Sequence, residues 1–294
     1  MSASRSTPTP ATVGAVVLTW RDRELTAACV ARLVGHPRVA RVIVVDNEAD
    51  GSIASAFEPN PSLDIVELTS NTGFAVGVNS GLRQLLDDPS LDEFLVINND
   101  ATLTHHDIDR LVSALDGDPG LGIVGPRIET PTGTKFSAGG IVNRFTWGIR
   151  QPRPGEHPDF LTWACVLVRR STFERVGLLD ERFFMYWEDV EFGFRLREAG
   201  VRFSEVPDAV LIHAVSSSHS RAGSRILAYS SQAFRHFLRL HGGAGTVTGL
   251  ARLGAKVALC TVKGDMPGAR YVIAGWKLGR NAPDPAYVAF EKLP

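Results

Sequence analysis

Hydrophobic positions in this chain come in short unbroken runs that stop at polar residues, with helix-like stretches between them. VGAVVLT ends before Trp20, Arg21 and Asp22, RVIVVD ends at Asp46 and Asn47, and EFLVIN ends at Asn98, Asn99 and Asp100. Residues 24–34 and 76–86 carry the helical period. Runs of this length suit buried strands, and their alternation with helices predicts an α/β fold with a mainly parallel central sheet. In such folds the carboxyl edge of the strands is where ligands bind. The second strand ends in an acid, as in dinucleotide-binding proteins, but TWRDRE follows the first strand where a G-x-G-x-x-G turn would stand. That argues against a nicotinamide enzyme.

FFMYWEDVEFGFRLREAG, residues 183–200, predicts a helix closed by Gly200. On a 3.6-residue period Glu188, Glu191, Arg195 and Glu198 fall on one stripe, expected to be solvated and to pair Glu191 with Arg195. Asp189 falls instead with Phe192, Gly193 and Leu196, on the side expected to face protein. A first-turn carboxylate is favoured by the helix macrodipole, so Asp189 reads either as an ordinary helix-start acid or as a group with chemistry to do. Thr104 to Asp107 reads as a capping box, which makes His105 and His106 first-turn residues rather than ligands. Asp100 has no such duty. A carboxylate at a strand's carboxyl edge can hold Mg²⁺ or Mn²⁺ against a diphosphate, or can simply form a turn.

The chain has 294 residues, 44% of them hydrophobic, enough for one large core or two modest ones. A net charge of -1 gives no general attraction to nucleic acid. Cys29, Cys165 and Cys260 lie far apart, without disulfide or zinc spacing, which suits a reducing cytoplasm. Residues 1–12 read as a flexible N-terminus, and the apolar run behind them is too short for a signal peptide or a membrane span.

VVLTW, VVDN, NTGFAVGVNSGL, LVINNDA, VGLLDERFFMYWEDVEFGFRL and the later His213 occur in this order, and together they resemble family 2 glycosyltransferases, most closely the rhamnosyltransferase-like branch. The resemblance spans about residues 13–220. It implies a nucleotide-diphospho-sugar-binding GT-A fold over residues 13–240, with residues 241–294 as a helical C-terminal extension. It also implies inverting transfer of a sugar to an acceptor hydroxyl, with rhamnose from dTDP-rhamnose favoured. Galactofuranose or glucose donors, or a non-catalytic nucleotide-sugar-binding protein, are the alternatives.

Carried over by position, Thr19 and Trp20 would line the base pocket and Asp46 would bond the base or ribose. Asn71, Gly73 and Asn79 would shape the donor cradle. Asp100 matches the last carboxylate of a D-x-D-like motif, written here Asn98-Asn99-Asp100, and His213 falls where relatives place a further metal ligand, so the implied cofactor is Mg²⁺ or Mn²⁺. The acidic pair supplies the general base, assigned to Asp189 and expected to stay ionised, with Glu188 orienting the acceptor. Phe184, Tyr186 and Trp187 would either offer faces to sugar rings or serve as core. Trp163 stands where many relatives have glycine and is expected to reshape the acceptor pocket. Glu191 replaces an aspartate at small expected cost, and the Pro/Gly-rich residues 130–158 are a candidate lid.

The tail after Gly243 reads as two helices broken at residues 265–268, with Arg252, Lys256, Lys263, Arg270 and Lys277 recurring along them. Those cations form either a solvated face or an interfacial patch for anionic lipid. The partners expected are therefore a nucleotide-diphospho-sugar, a saccharide, lipid-linked or natural-product acceptor, peripheral contact at the inner face of the membrane, and a second copy of the chain.

Overall fold

The structure, a computed structural model, describes residues 12–47, 51–213, 223–242 and 246–280. The expectation for residues 1–12 lies almost wholly outside them. Strands β1 (Val13–Thr19), β2 (Val39–Asp46), β3 (Leu63–Glu67) and β4 (Glu93–Asn98) form the parallel half of the main sheet, in the order β3-β2-β1-β4. Beyond β4 come β11 (Cys165–Arg169), β6 (Leu121–Glu129), β12 (Arg202–His213) and β5 (Ala101–Thr102). β11 runs antiparallel to both of its neighbours, whereas β6 and β12 are parallel. The short strand β7 (Lys135–Phe136) pairs with β6, and β8 (Gly139–Val142), β9 (Ile149–Arg150) and β10 (Phe160–Leu161) make a small second sheet.

Both faces of the main sheet are covered, which explains why its strands read as unbroken apolar runs. Side chains alternate along each strand. Val13, Ala15 and Val17 of β1, Val42 and Val44 of β2, and Leu95 and Ile97 of β4 join one core with helices α1 (Arg23–Val34) and α3 (His105–Gly117). Val16, Ile43, Val45, Phe94 and Val96 join the other with α2 (Phe74–Leu86), α4 (Arg170–Val176) and α5 (Glu188–Glu198). Thr104 does cap α3 in a complete capping box with Asp107, and His105 and His106 are exposed in its first turn.

Three helices follow the sheet: α6 (Ile226–His241), α7 (Thr246–Val262) and α8 (Met266–Leu278). The break in the tail comes earlier than the Pro-Gly pair suggests. Gly264 turns with φ +74°, Asp265 caps α8 by accepting from the Gly268 N–H, and Pro267 sits in the first turn, where its missing donor costs nothing. α6 packs on α8 and joins residues 183–187 through a cluster containing Trp187, Phe234, Phe237 and Trp276.

That cluster changes the reading of α5. Gly200 does close the helix, with the Val201 N–H reaching the Leu196 carbonyl and the Gly200 N–H reaching that of Arg197. The Glu191–Arg195 pair also forms, at 2.9 Å. The stripe it belongs to is solvated only at its far end, where Glu198 is exposed. Glu188 and Glu191 are both buried, Glu188 in the wall of a cleft and Glu191 under α6: His241 comes within 3.6 Å of Glu191, and Phe194 meets Phe237 edge to face. A substitution at Glu191 therefore lands in a packed interface.

Candidate active site

The carboxyl edges of β1, β2 and β4 and the start of α5 enclose a cleft of about 340 Å³. Thr19, Trp20, Asn71, Gly73, Asp100, His213, Glu188, Asp189 and Trp163 all line it. Two other depressions, of about 560 and 660 Å³, border the His157–Pro158 turn and hold none of the candidate residues. None of residues 130–158 lines the cleft. They fold instead into β7, β8 and β9 and pack Val142 and Trp147 against α6, so the candidate lid is a braced hairpin.

The turn after β3 is built on Asn47. Its Oδ1 accepts from the N–H and hydroxyl of Thr72, at 2.8 and 3.0 Å, and its Nδ2 donates to Asn71 Oδ1 and to the Gly73 carbonyl. Gly73 is extended with φ +86°, and a Cβ there would lie 2.4 Å from the Phe184 carbonyl oxygen. Only glycine fits. Asn47 is the last residue of the VVDN motif, next to Asp46. Asp46 is buried at the end of β2 and does not line the cleft. Asn79 is buried too. Its amide bonds Leu179 through both N–H and carbonyl and donates to Glu181, so it holds the segment before α5 in place rather than shaping the cradle.

Asn98, Asn99 and Asp100 divide the work at the β4 edge. Asn98 and Asn99 line the cleft, and Asn99 also donates to Thr19 and Thr26, tying the β4 end to the β1 end. Asp100 meets His213, Oδ1 to Nε2, at 3.0 Å. The pairing of β5 with the end of β12 sets His213 opposite Ala101 and so makes this contact across a long stretch of chain. One carboxylate and one imidazole converge, and among the described residues no third His, Cys, Asp or Glu completes a metal cage. Mg²⁺ and Mn²⁺ sites can use one or two protein ligands and fill the rest with phosphate oxygens and water. The donor set fits a cation shared with a diphosphate.

Tyr186 and Trp187 are both left-handed, with φ +71° and +69°, and this pair of kinks turns the chain into α5. Such conformations cost non-glycine residues about 1–3 kcal/mol each, which the surrounding packing must overcome. Tyr186 and Met185 line the cleft. Trp187 does not; it lies between Phe234 and Phe237 of α6, with ring centroids at 4.8 Å, under the guanidinium of Arg252. Phe184 stacks on Tyr229 at 4.4 Å. Both are core residues that hold the bend. Trp163 is nearly fully buried, edge-on to Phe192 at 5.0 Å, and forms cleft floor as well as core.

Glu188 and Asp189 are adjacent carboxyls at the helix start, and burial overcomes the macrodipole there. It raises Asp189 to about 6, although the Val190 N–H bonds Oδ1 at 2.7 Å, and a carboxyl there is still largely ionised near neutral pH. Glu188 is raised further, by burial and by the neighbouring Asp189 charge. Burial and mutual repulsion disfavour charge on both members of the pair at once. A base with a pKa near working pH suits removal of a proton from a hydroxyl.

Residues 15–177 match the family model described as Glycosyl transferase family 2. An N-acetylglucosaminyl-diphospho-decaprenol L-rhamnosyltransferase from Mycobacterium tuberculosis is 31% identical over 70% of this chain and 77% of its own length. The crystal structure of GalNAc-T7 with UDP, GalNAc and Mn²⁺ superposes with a TM-score of 0.61 over 79% of this chain, at 11% identity; this chain spans about half the length of GalNAc-T7, 48%. A mannosyltransferase from Pyrobaculum calidifontis, in complex with GDP-Man and Mn²⁺, superposes with a TM-score of 0.55 at 16% identity, over 91% of this chain and 86% of its own. The fold is GT-A-like, and the chain belongs to glycosyl transferase family 2, in its rhamnosyltransferase-like branch.

Proposed function

We propose that this glycosyltransferase moves rhamnose from dTDP-rhamnose to a hydroxyl of a saccharide carried on a polyprenyl diphosphate, with inversion at the anomeric carbon. The observation that carries the reading is the meeting, in one cleft, of the Asp100–His213 pair, the Asn71–Gly73 turn and the Glu188–Asp189 carboxyls. The name of the mycobacterial relative supports both the sugar and the acceptor class.

In this reading the nucleotide lies against Thr19 and Trp20, and the diphosphate runs toward Asp100 and His213. These two residues would hold Mg²⁺ or Mn²⁺, which when bound neutralises diphosphate charge. Asp189 takes the proton of the acceptor hydroxyl on its second carboxylate oxygen, since Oδ1 is engaged by Val190. The acceptor oxygen then bonds to the anomeric carbon from the face opposite the diphosphate, the carbon–oxygen bond to the diphosphate breaks, and dTDP leaves with the bonding electron pair. Glu188, whose ionisation burial disfavours, orients the acceptor by a hydrogen bond. Trp163 and Tyr186 shape the sugar pocket and exclude water.

The test is a panel of dTDP- and UDP-sugars, including galactofuranose and glucose donors, against N-acetylglucosaminyl-diphospho-polyprenol. Transfer from dTDP-rhamnose, with the product's anomeric configuration opposite to the donor's by NMR, is the expected result. A stronger reaction from another sugar nucleotide, retained configuration, or donor binding without transfer to this acceptor would overturn it.

A further inference from the structure

Helix α7 turns its charged side chains inward, beside Leu253, Val257 and Cys260, and leaves an uncharged apolar face outward. Both of its cations face the protein. Arg252 lies over the rings of Phe234, at 4.8 Å, and Trp187, at 5.5 Å, and donates to the Trp147 carbonyl. Lys256 is half-buried, and burial lowers its pKa. The outward half carries Val247, Leu250, Ala255, Ala258, Leu259 and Val262, with no charged side chain among its described residues. Val247 is 75% exposed and Val262 86%. Thr261, also outward, returns its hydroxyl to the Val257 carbonyl. On the neighbouring helix α8 the exposed stripe runs Met266, Arg270, Ile273, Lys277. A solvated helix turns charge outward and apolar residues inward, and contiguous exposed apolar ground of this kind marks an interaction surface.

The charge around this ground is of one sign. Residues 246–280 hold Arg252, Lys256, Lys263, Arg270, Lys277 and Arg280 against a single acid, Asp265. That carboxylate is already engaged by the Gly268 N–H, at 2.8 Å, and by the Ser224 hydroxyl. A second copy of the chain set on the same patch would oppose cations to cations, with no free acid to offset them. No described helix is long and apolar enough to cross a membrane. We infer that the outward face of α7, rimmed by Lys263, Arg270 and Lys277, docks on the surface of an anionic lipid bilayer, with Val247, Leu259 and Val262 entering the acyl boundary. The inference deepens the lipid-linked acceptor reading, on which its purpose rests, but its surface argument stands on α7 and α8. It also reassigns the membrane-facing residues: the apolar stripe makes the contact, and Arg252 and Lys256, which periodicity put on a basic face, are structural.

The experiment uses the full chain without sugar nucleotide or acceptor, so its outcome is independent of whether rhamnose is transferred. Co-sedimentation is measured with vesicles of phosphatidylglycerol and phosphatidylcholine, and with phosphatidylcholine alone, at 0.05 and 0.5 M salt. The expected result is binding to the anionic vesicles, released at high salt as screening grows. Leu259→Glu and Val262→Glu lie on exposed positions and should leave thermal stability unchanged while weakening partition at least tenfold. Lys263→Glu with Lys277→Glu should weaken it as well. Absence of binding to anionic vesicles, equal binding to neutral ones, or undiminished partition of Val262→Glu would overturn the inference. So would a lipid-free dimer that Val262→Glu converts to monomer.

Discussion

The Phe74 N–H donates to the Phe184 carbonyl at 2.7 Å, so one backbone hydrogen bond joins the Asn71–Gly73 turn to the segment that carries the acidic pair. The bond requires the close approach that Gly73 permits.

Gly73→Ala should therefore disturb both sides at once. The new methyl would meet the Phe184 carbonyl oxygen at 2.4 Å, and φ +86° is unfavourable for any side chain. A loss of about 2–4 kcal/mol in urea denaturation is expected. Titration calorimetry with dTDP should show weaker binding in whatever fraction still folds.

Asp189→Asn should separate chemistry from donor binding. Loss of the base is expected to lower kcat by about 10²–10⁴-fold, while the dTDP-rhamnose Kd stays within about twofold of the original, because the base acts on the acceptor. Turnover within tenfold of wild type would remove Asp189 from the role.

The pH profile follows from the same carboxyl. With Asp189 raised to about 6, kcat/KM should fall tenfold per unit below about pH 6 and level off above it. The linkage to stability has the opposite sense. A carboxyl whose folded pKa lies above its unfolded value of about 4 binds more protons when folded, so its contribution falls as pH rises from about 4 to about 6. Asp189→Asn should thus gain stability over the wild type at pH 8 and lose that gain near pH 4, which thermal unfolding at the two values would show.

Asp100→Ala and His213→Ala test the cation. Each should weaken dTDP-rhamnose binding at least tenfold in Mn²⁺ and leave it nearly unchanged in EDTA. Equal losses in both buffers would assign the pair a direct role in holding the donor.

Much of this site was legible in the sequence, because strand ends are local. Apolar runs stopping at Thr19, Asp46 and Asn98 mark the carboxyl edge of a two-faced sheet, and Thr104 with Asp107 marks a helix start. What escaped depends on contacts between distant segments. Periodicity identifies opposite faces of α5 and α7 but not what covers them: α6 buries Glu191, and α7 has apolar residues on both sides, so nothing local shows that Arg252 points inward. Asn47 was hidden for a related reason, since its duty to Thr72 and Gly73 exists only once β2 and the turn after β3 are side by side.

The packing of Trp187 between Phe234 and Phe237 has a practical reading for anyone recombining transferases. The bend that delivers the acidic pair belongs mechanically to the C-terminal helices, although it lies well before them in the chain. A chimera that exchanges only the tail would bring a foreign aromatic socket to a native tryptophan. The exchangeable module is residues 183–187 together with α6, α7 and α8, and crossover points placed on either side of that set keep plug and socket from the same parent.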